Sequence, residues 1–417
     1  MNSGPQYDVA IIGAGLSGLA AGIRLAHFGK KVCIFERHNA VGGLNGFYSL
    51  GGRKFDVGLH AVTNFVPPGV KGTALGKIFR QLRIDREEIA LSPQKGSRVA
   101  FGPRGEAALR FTNDFAVLEA DVASVFPKQV DKFGNVARFV RDAPLEWPGT
   151  RESARRFIRT QIDDPLLEDM LLCPLMFYGS AREHDMDLDQ FTVMFRALYL
   201  EGLARPLEGI RVLMRVLLEK YRQAGGERRM KCGVRAIVAR EGRAAALVLD
   251  SGDEVVATHI LSSIGGAETD ALMGKPRGDE PRLGYVETIS VLDRPPAELG
   301  WGADTIVFYN DSERFSYCNP PDQVDVRSGI ICFPNNFDYG LGRGLKEGLF
   351  RVTCLASYDA WKDLPDSTYQ SDKVRWFDAI RKSAGRFLPP LDPDDSLERA
   401  TVATDMFTPR TVEHYTG

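Results

Sequence analysis

Three glycines near the start of the chain have the spacing of a turn that holds a diphosphate. Gly13, Gly15 and Gly18 follow an apolar run that predicts a buried strand, and the Ala- and Leu-rich residues after them predict a helix. The first glycine allows a tight bend, the second lets the backbone approach phosphate, and the third allows close packing of the helix on the strand. The phosphates would lie at the helix N-terminus, where free N–H groups and the helix dipole favour anions.

An acidic residue follows this turn at the distance that ribose binding requires. Glu36 ends the next predicted strand, residues 31–35, and lies 36 − 18 = 18 positions after Gly18. A carboxylate there accepts hydrogen bonds from ribose hydroxyls and repels a 2′-phosphate. The alternatives are an ordinary loop, since the chain has 42 glycines, and a solvated glutamate at a strand end. The order of strand, turn, helix and acid favours a dinucleotide site. Its predicted residues are Gly13, Ala14, Gly15, Leu16, Ser17, Gly18, Glu36 and Arg37.

The composition is that of a soluble globular protein with two or more domains. The chain has 417 residues, of which 44% are hydrophobic and 26% charged, with a formal net charge of −2. Because it has no basic tract, we expect no nucleic-acid partner. Six cysteines without a CxxC spacing favour a reducing compartment, and six scattered histidines predict no metal site. Without a signal peptide or a membrane-spanning segment in the sequence, we expect a cytoplasmic location.

Two glycine pairs after Glu36 indicate which dinucleotide is bound. Gly42-Gly43 follows the acid closely, and Gly51-Gly52 precedes the segment RKFDVGLH at residues 53–60. With these motifs the chain resembles the FAD-dependent amine oxidase superfamily, and within it the phytoene desaturase and carotenoid isomerase branch. That family has a glycine pair after the ribose-binding acid and an aromatic-Asp-x-Gly segment beside the flavin, although Leu44 stands where it often has arginine. The resemblance implies FAD as the cofactor. It adds the cofactor-binding residues Gly42, Gly43, Leu44, Gly58, Leu59, His60 and Val234.

The rest of the chain suggests how two domains are built. Residues 210–221 have one apolar helical face, and strand-like runs follow at 230–238, 245–249 and 255–264. This order resembles the family's return to its FAD domain, where Val234 would give backbone contacts to the adenine.

The C-terminal part of the chain is predicted to contain strands and then a helix. Residues 283–354 are strand-rich, and 376–387 read as an amphipathic helix; in the family this part forms the antiparallel sheet beneath the substrate cavity. We therefore predict an α/β fold with an α+β second domain: a glutathione-reductase-type FAD-binding Rossmann domain with an inserted substrate domain of antiparallel sheet and helices. The predicted FAD domain comprises residues 1–70 and 205–275, and the substrate domain 71–204 and 276–417.

Two apolar segments of the helical region have two interpretations. Residues 171–178 (LLCPLMFY) and 189–203 either pack as a helical core or form the wall of a substrate tunnel or a membrane-facing surface. If the substrate is a membrane lipid, we expect peripheral docking on the inner face of the membrane through apolar and basic residues of this region. The expected partner is a hydrophobic small molecule, and the sequence does not indicate an oligomeric state.

The resemblance implies dehydrogenation or double-bond isomerisation of a long hydrophobic polyene. In dehydrogenation, a hydride passes from an allylic carbon to the flavin N5 and a proton leaves the neighbouring carbon; the cofactor carries the difficult step. His60 and Arg53 are the candidates for tuning the flavin or handling the proton. Their alternatives are a histidine hydrogen-bonded by backbone, and an arginine paired with phosphate or with Asp56.

Two other functions remain open on the sequence. Oxidation of a small amine is the commonest alternative in this superfamily, and a non-catalytic FAD-binding protein is another. The second is suggested by the end of the chain, Tyr415-Thr416-Gly417. In relatives a similar segment precedes a further stretch that covers the flavin, so either this chain is C-terminally truncated, which we expect, or the resemblance fails in its last part.

Overall fold

The computed structural model of the protein describes most of the chain. The described residues are 6–58, 60–65, 67–144, 149, 151–276 and 283–416. Leu59, predicted to bind the cofactor, lies outside them.

The described residues form two large sheets, two short two-stranded pairs and a set of helices. In chain order the strands are β1 Tyr7–Ile12, β2 Val32–Phe35, β3 Phe47–Leu50, β4 Arg53–Asp56, β5 Ser92–Pro93, β6 Ser97–Phe101, β7 Ala107–Phe111, β8 Ala204–Arg205, β9 Glu227–Arg229, β10 Val234–Arg240, β11 Arg243–Leu249, β12 Glu254–Ser262, β13 Leu283–Leu292, β14 Ile306–Asn310, β15 Val324–Cys332, β16 Gly348–Ser357 and β17 Thr401–Phe407. The helices are α1 Leu16–His27, α2 Ala74–Leu82, α3 Arg86–Ile89, α4 Phe115–Val125, α5 Val130–Asp142, α6 Ala154–Gln161, α7 Pro165–Phe177, α8 Leu188–Phe195, α9 Arg211–Gln223, α10 Gly266–Leu272, α11 Tyr358–Lys362, α12 Asp366–Gly385, α13 Leu397–Ala400 and α14 Pro409–Thr416.

The first sheet has the strand order β10-β11-β12-β1-β2-β9. Its neighbours from β12 to β9 are parallel, while β10, β11 and β12 form an antiparallel meander. From Val9 to Ile12, β1 is apolar because both of its faces are covered. Val9 and Ile11 pack with α1 and α9 on one face, whereas Ala10 and Ile12 pack against residues of β11 and β12 on the other.

The second sheet has the order β17-β13-β16-β15-β14-β6-β7, antiparallel except between β14 and β6. Its side chains alternate between two cores. Val307 and Tyr309 face the core that includes α12, and Ile306 and Phe308 face the core built with α4 to α8. The hairpin of β3 and β4 packs on the same sheet, because Phe55 joins a cluster of β13 side chains.

The predicted fold class is confirmed, with its Rossmann-type sheet and its second part of antiparallel sheet and helices. Two predicted boundaries differ from the structure. The strand predicted from residue 230 begins at Val234, after a loop in which the Lys231 backbone has a positive φ of 51°. The helix predicted at 376–387 begins ten positions earlier, at Asp366, because its first half is polar and gives no hydrophobic periodicity.

The helices between the two parts favour a later domain boundary than residue 70. Leu82 and Ile84, at the end of α2, and Ile89 of α3 are buried in the core of the first sheet. The predicted domain ranges stay a prediction, but this packing favours assigning α2 and α3 to the cofactor domain.

The apolar segment 171–178 packs as core over most of its length. Every residue of α7 from Leu167 to Phe177 is buried, so this stretch of the helix packs as protein core. Within the described parts of the chain, no helix is both long and apolar enough to cross a bilayer.

A buried carboxylate fixes α7 to its neighbours. Asp169 is 0% exposed, and its Oδ1 accepts a hydrogen bond from Nη1 of Arg155 at 2.6 Å. Its Oδ2 accepts one from the backbone N–H of Phe315 at 3.1 Å and pairs with Nε of Arg314 at 3.0 Å. One carboxylate therefore connects α7 to α6 and to the loop after β14.

Replacing Asp169 should test how much this connection contributes. Asp169→Ala should lower the free energy of unfolding by roughly 3 kcal/mol, since it leaves a buried amide and part of a buried guanidinium without an acceptor. Chemical denaturation measures the change. The matched control is Asp163→Ala, because the Asp163 side chain is 71% exposed in its ion pair with Lys132 and its loss should cost less than about 1 kcal/mol. Equal losses in the two variants would contradict the assignment.

Candidate functional site

The glycine turn after β1 leaves one side of its backbone open. Gly13 has a φ of +95°, and its N–H donates to the carbonyl of Phe35 at 2.9 Å. A Cβ on Gly18 would overlap the carbonyl oxygen of Gly13, so only glycine lets α1 start this close to the turn. A Cβ on Gly15 would meet nothing nearer than the carbonyl oxygen of Gly42, at 4.0 Å. The space for a diphosphate therefore lies at Gly15, at the N-terminus of α1.

Glu36 is turned toward this turn. It is only 9% exposed, and its Oε2 accepts a hydrogen bond from the backbone N–H of Ala14 at 2.8 Å. Its Oε1 accepts one from the N–H of His38 at 2.9 Å. A carboxylate has about four lone-pair sites, so it can still accept from ribose hydroxyls. Arg37 is exposed beside it, and Val234 is half-buried at the start of β10.

A glycine loop connects the turn to the segment that carries His60. The N–H of Gly42 donates to the carbonyl of Ala14 at 3.0 Å, and the N–H of Gly58 donates to the carbonyl of Leu44 at 2.9 Å. A Cβ on Gly58 would approach the Leu44 oxygen to 2.6 Å, which requires glycine there. These two hydrogen bonds link the glycine turn to the loop at 42–44 and that loop to Gly58, and the Leu44 side chain is exposed.

A cluster of charged side chains lies next to this stretch. Nε2 of His60 is 2.8 Å from Oε1 of Glu287, and Arg351 donates to both oxygens of Glu287 at 2.8 Å each. Nη2 of Arg351 also donates to the backbone carbonyl of Asp56 at 2.8 Å. The carboxylate of Asp56 accepts from Nη1 and Nη2 of Arg205 at 3.0 and 2.9 Å. With two carboxylates and two guanidiniums, the cluster is neutral when His60 is neutral.

The surroundings of His60 keep its imidazole uncharged. Burial, and after it the positive charge of Arg351, hold the pKa of His60 below its ordinary value, although Glu287 acts in the opposite direction. Burial acts to raise the pKa of Glu287, but Arg351 and His60 outweigh it and the pKa is lowered. Because an ionised carboxylate only accepts hydrogen bonds, Nε2 of His60 carries the proton and Nδ1 is left as a bare acceptor.

Three atoms of this cluster have no hydrogen-bond partner among the described protein atoms. They are Oδ1 of Asp56, Nδ1 of His60 and Nε of Arg205. Buried polar atoms are almost always paired, so a group of unpaired ones indicates a place where a ligand or solvent completes the site. A small open cleft, with a volume of about 10 Å³, is found here, lined by His60, Ala61, Val62, Arg205, Pro206 and Ile210. A larger surface groove beside α4 and α5 contains none of these residues.

Arg53 is not part of this cluster. The structure pairs its guanidinium with Glu347 at 2.6 Å, in a partly exposed ion pair that raises the pKa of Arg53. Alternation along β4 puts Asp56 on the opposite face, where Arg205 is its partner. The sequence-based pairing of Arg53 with Asp56 is therefore wrong, and Arg53 is not placed to handle a proton with His60.

Three residues of the cluster were missed from the sequence: Arg205, Glu287 and Arg351. Each is a single charge inside an otherwise uncharged and largely apolar stretch, such as LGYVETISVL for β13 and LFRVTCL within β16. Charged residues are rarely buried unless paired, so a lone charge in an apolar strand was the available signal.

The residues present fit FAD. The open backbone at Gly15 and Gly43, where a Cβ on Gly43 would meet nothing nearer than 4.0 Å, suits a diphosphate. The carboxylate of Glu36 suits a ribose. The unpaired atoms around His60 lie at the other end of the segment that follows the glycine turn, where the flavin ring would lie.

The close approach at Gly18 predicts a loss of cofactor on substitution. Gly18→Ala should move α1 away from the turn at a cost of about 1–3 kcal/mol, and FAD affinity should fall roughly tenfold for each 1.4 kcal/mol lost at the site. The ratio of flavin to protein absorbance in the purified protein measures retention. Gly134→Ala is the control, since a Cβ there meets nothing within 4 Å in the middle of α5. Wild-type retention of FAD by Gly18→Ala would refute the packing argument.

Solved structures share this fold. An oxidoreductase from Methanosarcina mazei superposes with a TM-score of 0.64 at 15% sequence identity, covering 96% of this chain and 87% of that one.

Two curated relatives are similar in sequence. The chloroplastic prolycopene isomerase of Daucus carota is 22% identical over 453 residues, which cover 98% of this chain and 70% of the isomerase. The neurosporene-forming phytoene desaturase of Rhodobacter capsulatus is 27% identical over 288 residues, covering 62% of this chain and 52% of the desaturase.

The family itself is shown by a match to most of the chain. The family described as "Flavin containing amine oxidoreductase" matches residues 16–281, from the glycine turn to the end of the first sheet and beyond. The two relatives belong to the phytoene desaturase and carotenoid isomerase branch of that superfamily, which the sequence motifs indicated. The chain therefore belongs to the flavin-containing amine oxidoreductase family, and it is a flavin-dependent oxidoreductase with FAD as its cofactor.

Proposed function

We propose that the protein desaturates or isomerises a long hydrophobic polyene. The observation that carries this proposal is the similarity to a prolycopene isomerase along 98% of the chain. The similarity to a phytoene desaturase supports it further. The charge balance of the site supports it. Among the described residues of the cluster, both carboxylates are paired with arginines, so no free negative charge is available there for an ammonium group.

We propose the predicted residues as the FAD site. Glu36 and the backbone at Val234 would hold the adenosine end, and the turn at 13–18 would hold the diphosphate. The loop at 42–44 and the segment ending at His60 would lie along the flavin. Bound FAD supplies the hydride acceptor that the reaction needs.

In this proposal His60 handles the proton. Desaturation removes a second hydrogen as a proton from the neighbouring carbon, and a neutral imidazole with a bare Nδ1 can accept it. Conjugation in a polyene spreads the positive charge, so a weak base suffices. Burial of the site excludes water, which would otherwise compete for the proton.

Turnover with defined substrates tests the proposal. We expect the FAD-loaded protein to change the visible absorption of detergent-dispersed polyenes, and to release no peroxide with a panel of amines. Under anaerobic conditions a polyene that is desaturated should bleach the flavin, whereas isomerisation, which is redox-neutral, should leave the flavin spectrum unchanged. Amine-dependent peroxide without polyene conversion would replace the proposal with amine oxidation. A bound flavin that no substrate bleaches, in a protein that neither desaturates nor isomerises any polyene, would indicate a non-catalytic protein.

Substitution of His60 tests its role within that assay. His60→Gln should retain FAD but lower kcat for desaturation by roughly 10²- to 10⁴-fold. The matched control is His259→Gln, because His259 is exposed on β12 and should leave the rate unchanged. A full rate in His60→Gln would exclude this histidine as the base.

We also propose that the protein meets its substrate at a membrane surface. Val125 of α4 is 41% exposed and Val130 of α5 is 40% exposed. Both lie in a helical region rich in arginine, and exposed apolar side chains beside basic ones favour contact with an anionic membrane surface. Co-sedimentation with anionic vesicles at low salt should occur, and should weaken in Val125→Asp/Val130→Asp. Val402→Asp, at an exposed site on β17, is the control. A protein that stays wholly in the supernatant would contradict this contact.

A further inference from the structure

We propose that Glu287 is the positioning residue for His60, holding the imidazole by its Nε2–H so that Nδ1 is presented as the proton acceptor. The inference rests on the proposed role of His60 in proton transfer. It adds a residue more than two hundred positions away, on β13, that neither the motif nor the resemblance indicated.

The geometry of the pair selects one tautomer. Oε1 of Glu287 lies 2.8 Å from Nε2 of His60, and a carboxylate oxygen at that distance accepts a hydrogen bond. If the proton were on Nδ1 instead, two lone pairs would face each other across the same distance. The hydrogen bond to Glu287 therefore keeps the proton on Nε2, and with it the free lone pair on Nδ1.

Arg351 prevents the carboxylate of Glu287 from rotating toward other hydrogen-bond partners. Its Nε and Nη2 donate to the two oxygens of Glu287 at 2.8 Å, a bidentate arrangement that fixes the plane of the carboxylate. The same Nη2 donates to the carbonyl of Asp56, which begins the segment that carries His60. The carboxylate and the imidazole are thus held relative to each other by one guanidinium.

The charges around His60 determine how its pKa changes when the charge of Glu287 is removed. The titratable and charged side chains that act on it or on its partners are Asp56 of β4, Arg205 of β8, Glu287 of β13, Cys332 of β15, Arg351 of β16 and Tyr48 of β3, whose hydroxyl donates to Asp405 of β17. Asp56 is balanced by Arg205, and Tyr48 is neutral because burial raises the pKa of its phenol. Neutralising Glu287 would leave Arg351 unbalanced. The pKa of His60 would then fall further, because Glu287 is a group that acts to raise it.

A measurement on the wild-type protein needs no substrate. Nitrogen-15 NMR of histidine-labelled, FAD-loaded protein reports which ring nitrogen carries hydrogen, and the His60 signals are those absent from His60→Gln. At neutral pH we expect a neutral ring with hydrogen on Nε2 and a bare Nδ1. A ring with hydrogen on Nδ1, or an imidazolium, would overturn the inference.

Glu287→Gln tests the effect of removing the carboxylate charge. We expect mixed tautomers for His60, a kcat lower by roughly 10²-fold or more with KM little changed, and an acid limb of the pH–rate profile displaced to lower pH. The sign follows from the pKa. The base works only when neutral, and a lower pKa of His60 extends the neutral form to more acid solution. The unchanged tautomer and acid limb of the wild type would overturn the inference.

Two further variants separate charge, position and general damage. Glu287→Asp keeps the charge but shortens the side chain by one methylene. The tautomers should therefore mix and kcat should fall, while the acid limb stays near its wild-type position. This variant also provides the test if Glu287→Gln does not fold. Glu347→Gln removes a glutamate from the partly exposed ion pair with Arg53, and should leave the tautomer and the pH profile as in the wild type.

The two proposals fail in different ways. If no polyene is converted but His60 has the Nε2–H tautomer, lost in Glu287→Gln, the proposed function fails and the positioning by Glu287 stands. If polyenes are converted and the tautomer is unaffected by Glu287→Gln, the inference fails and the function stands.

Discussion

The site depends on the side chain of Arg351. Its guanidinium lies between Glu287 on the second sheet and the carbonyl of Asp56 on the β3–β4 hairpin, and it is hydrogen-bonded to both. Because a buried charge is tolerated only when its hydrogen bonds are satisfied, neither partner can move away without leaving the guanidinium uncompensated. This constraint holds the hairpin, and therefore the segment that ends at His60, in one position on the floor of the second sheet.

A second constraint operates at the other end of the same stretch of chain, and it is steric. Gly18 and Gly58 each stand where a Cβ would run into a backbone oxygen, and Gly42 is hydrogen-bonded to the glycine turn. Together these contacts set the distance between the open backbone at Gly15 and the hairpin. The protein thus builds the two ends of an extended cofactor site by different means: close backbone packing at the diphosphate end, and buried ion pairs at the end near His60.

The glycine turn and its flanking elements could be predicted from the sequence because their determinants are local. β1, α1 and Glu36 come from neighbouring residues. Their hydrophobic pattern, the glycines of the turn and the spacing to the acid all predict the same strand–turn–helix structure. The charged cluster could not be, since Asp56 and Arg205 are 149 positions apart, and His60 and Glu287 lie farther apart still.

Local patterns also explain the specific errors. Arg53 and Asp56 are close in sequence, yet alternation along β4 sends them to opposite faces, where Glu347 and Arg205 are their partners. The first half of α12 was missed because its solvent-facing residues have no apolar period. In α7 the opposite holds: a helix buried nearly all round has a sequence that also fits a surface in contact with lipid, and only tertiary contacts separate the two.

The charge balance of the cluster connects the structure to the chemistry. Two carboxylates and two guanidiniums cancel, and burial keeps His60 neutral, so the described part of the site presents a base without presenting net charge. A free carboxylate would attract ammonium groups and water, whereas a neutral imidazole can take a proton in surroundings that suit an apolar chain. Protonation of His60 then creates a single positive charge, which Glu287 stabilises directly through the hydrogen bond from Nε2. The carboxylate that orients the base is thus also the group that stabilises it after it has accepted the proton.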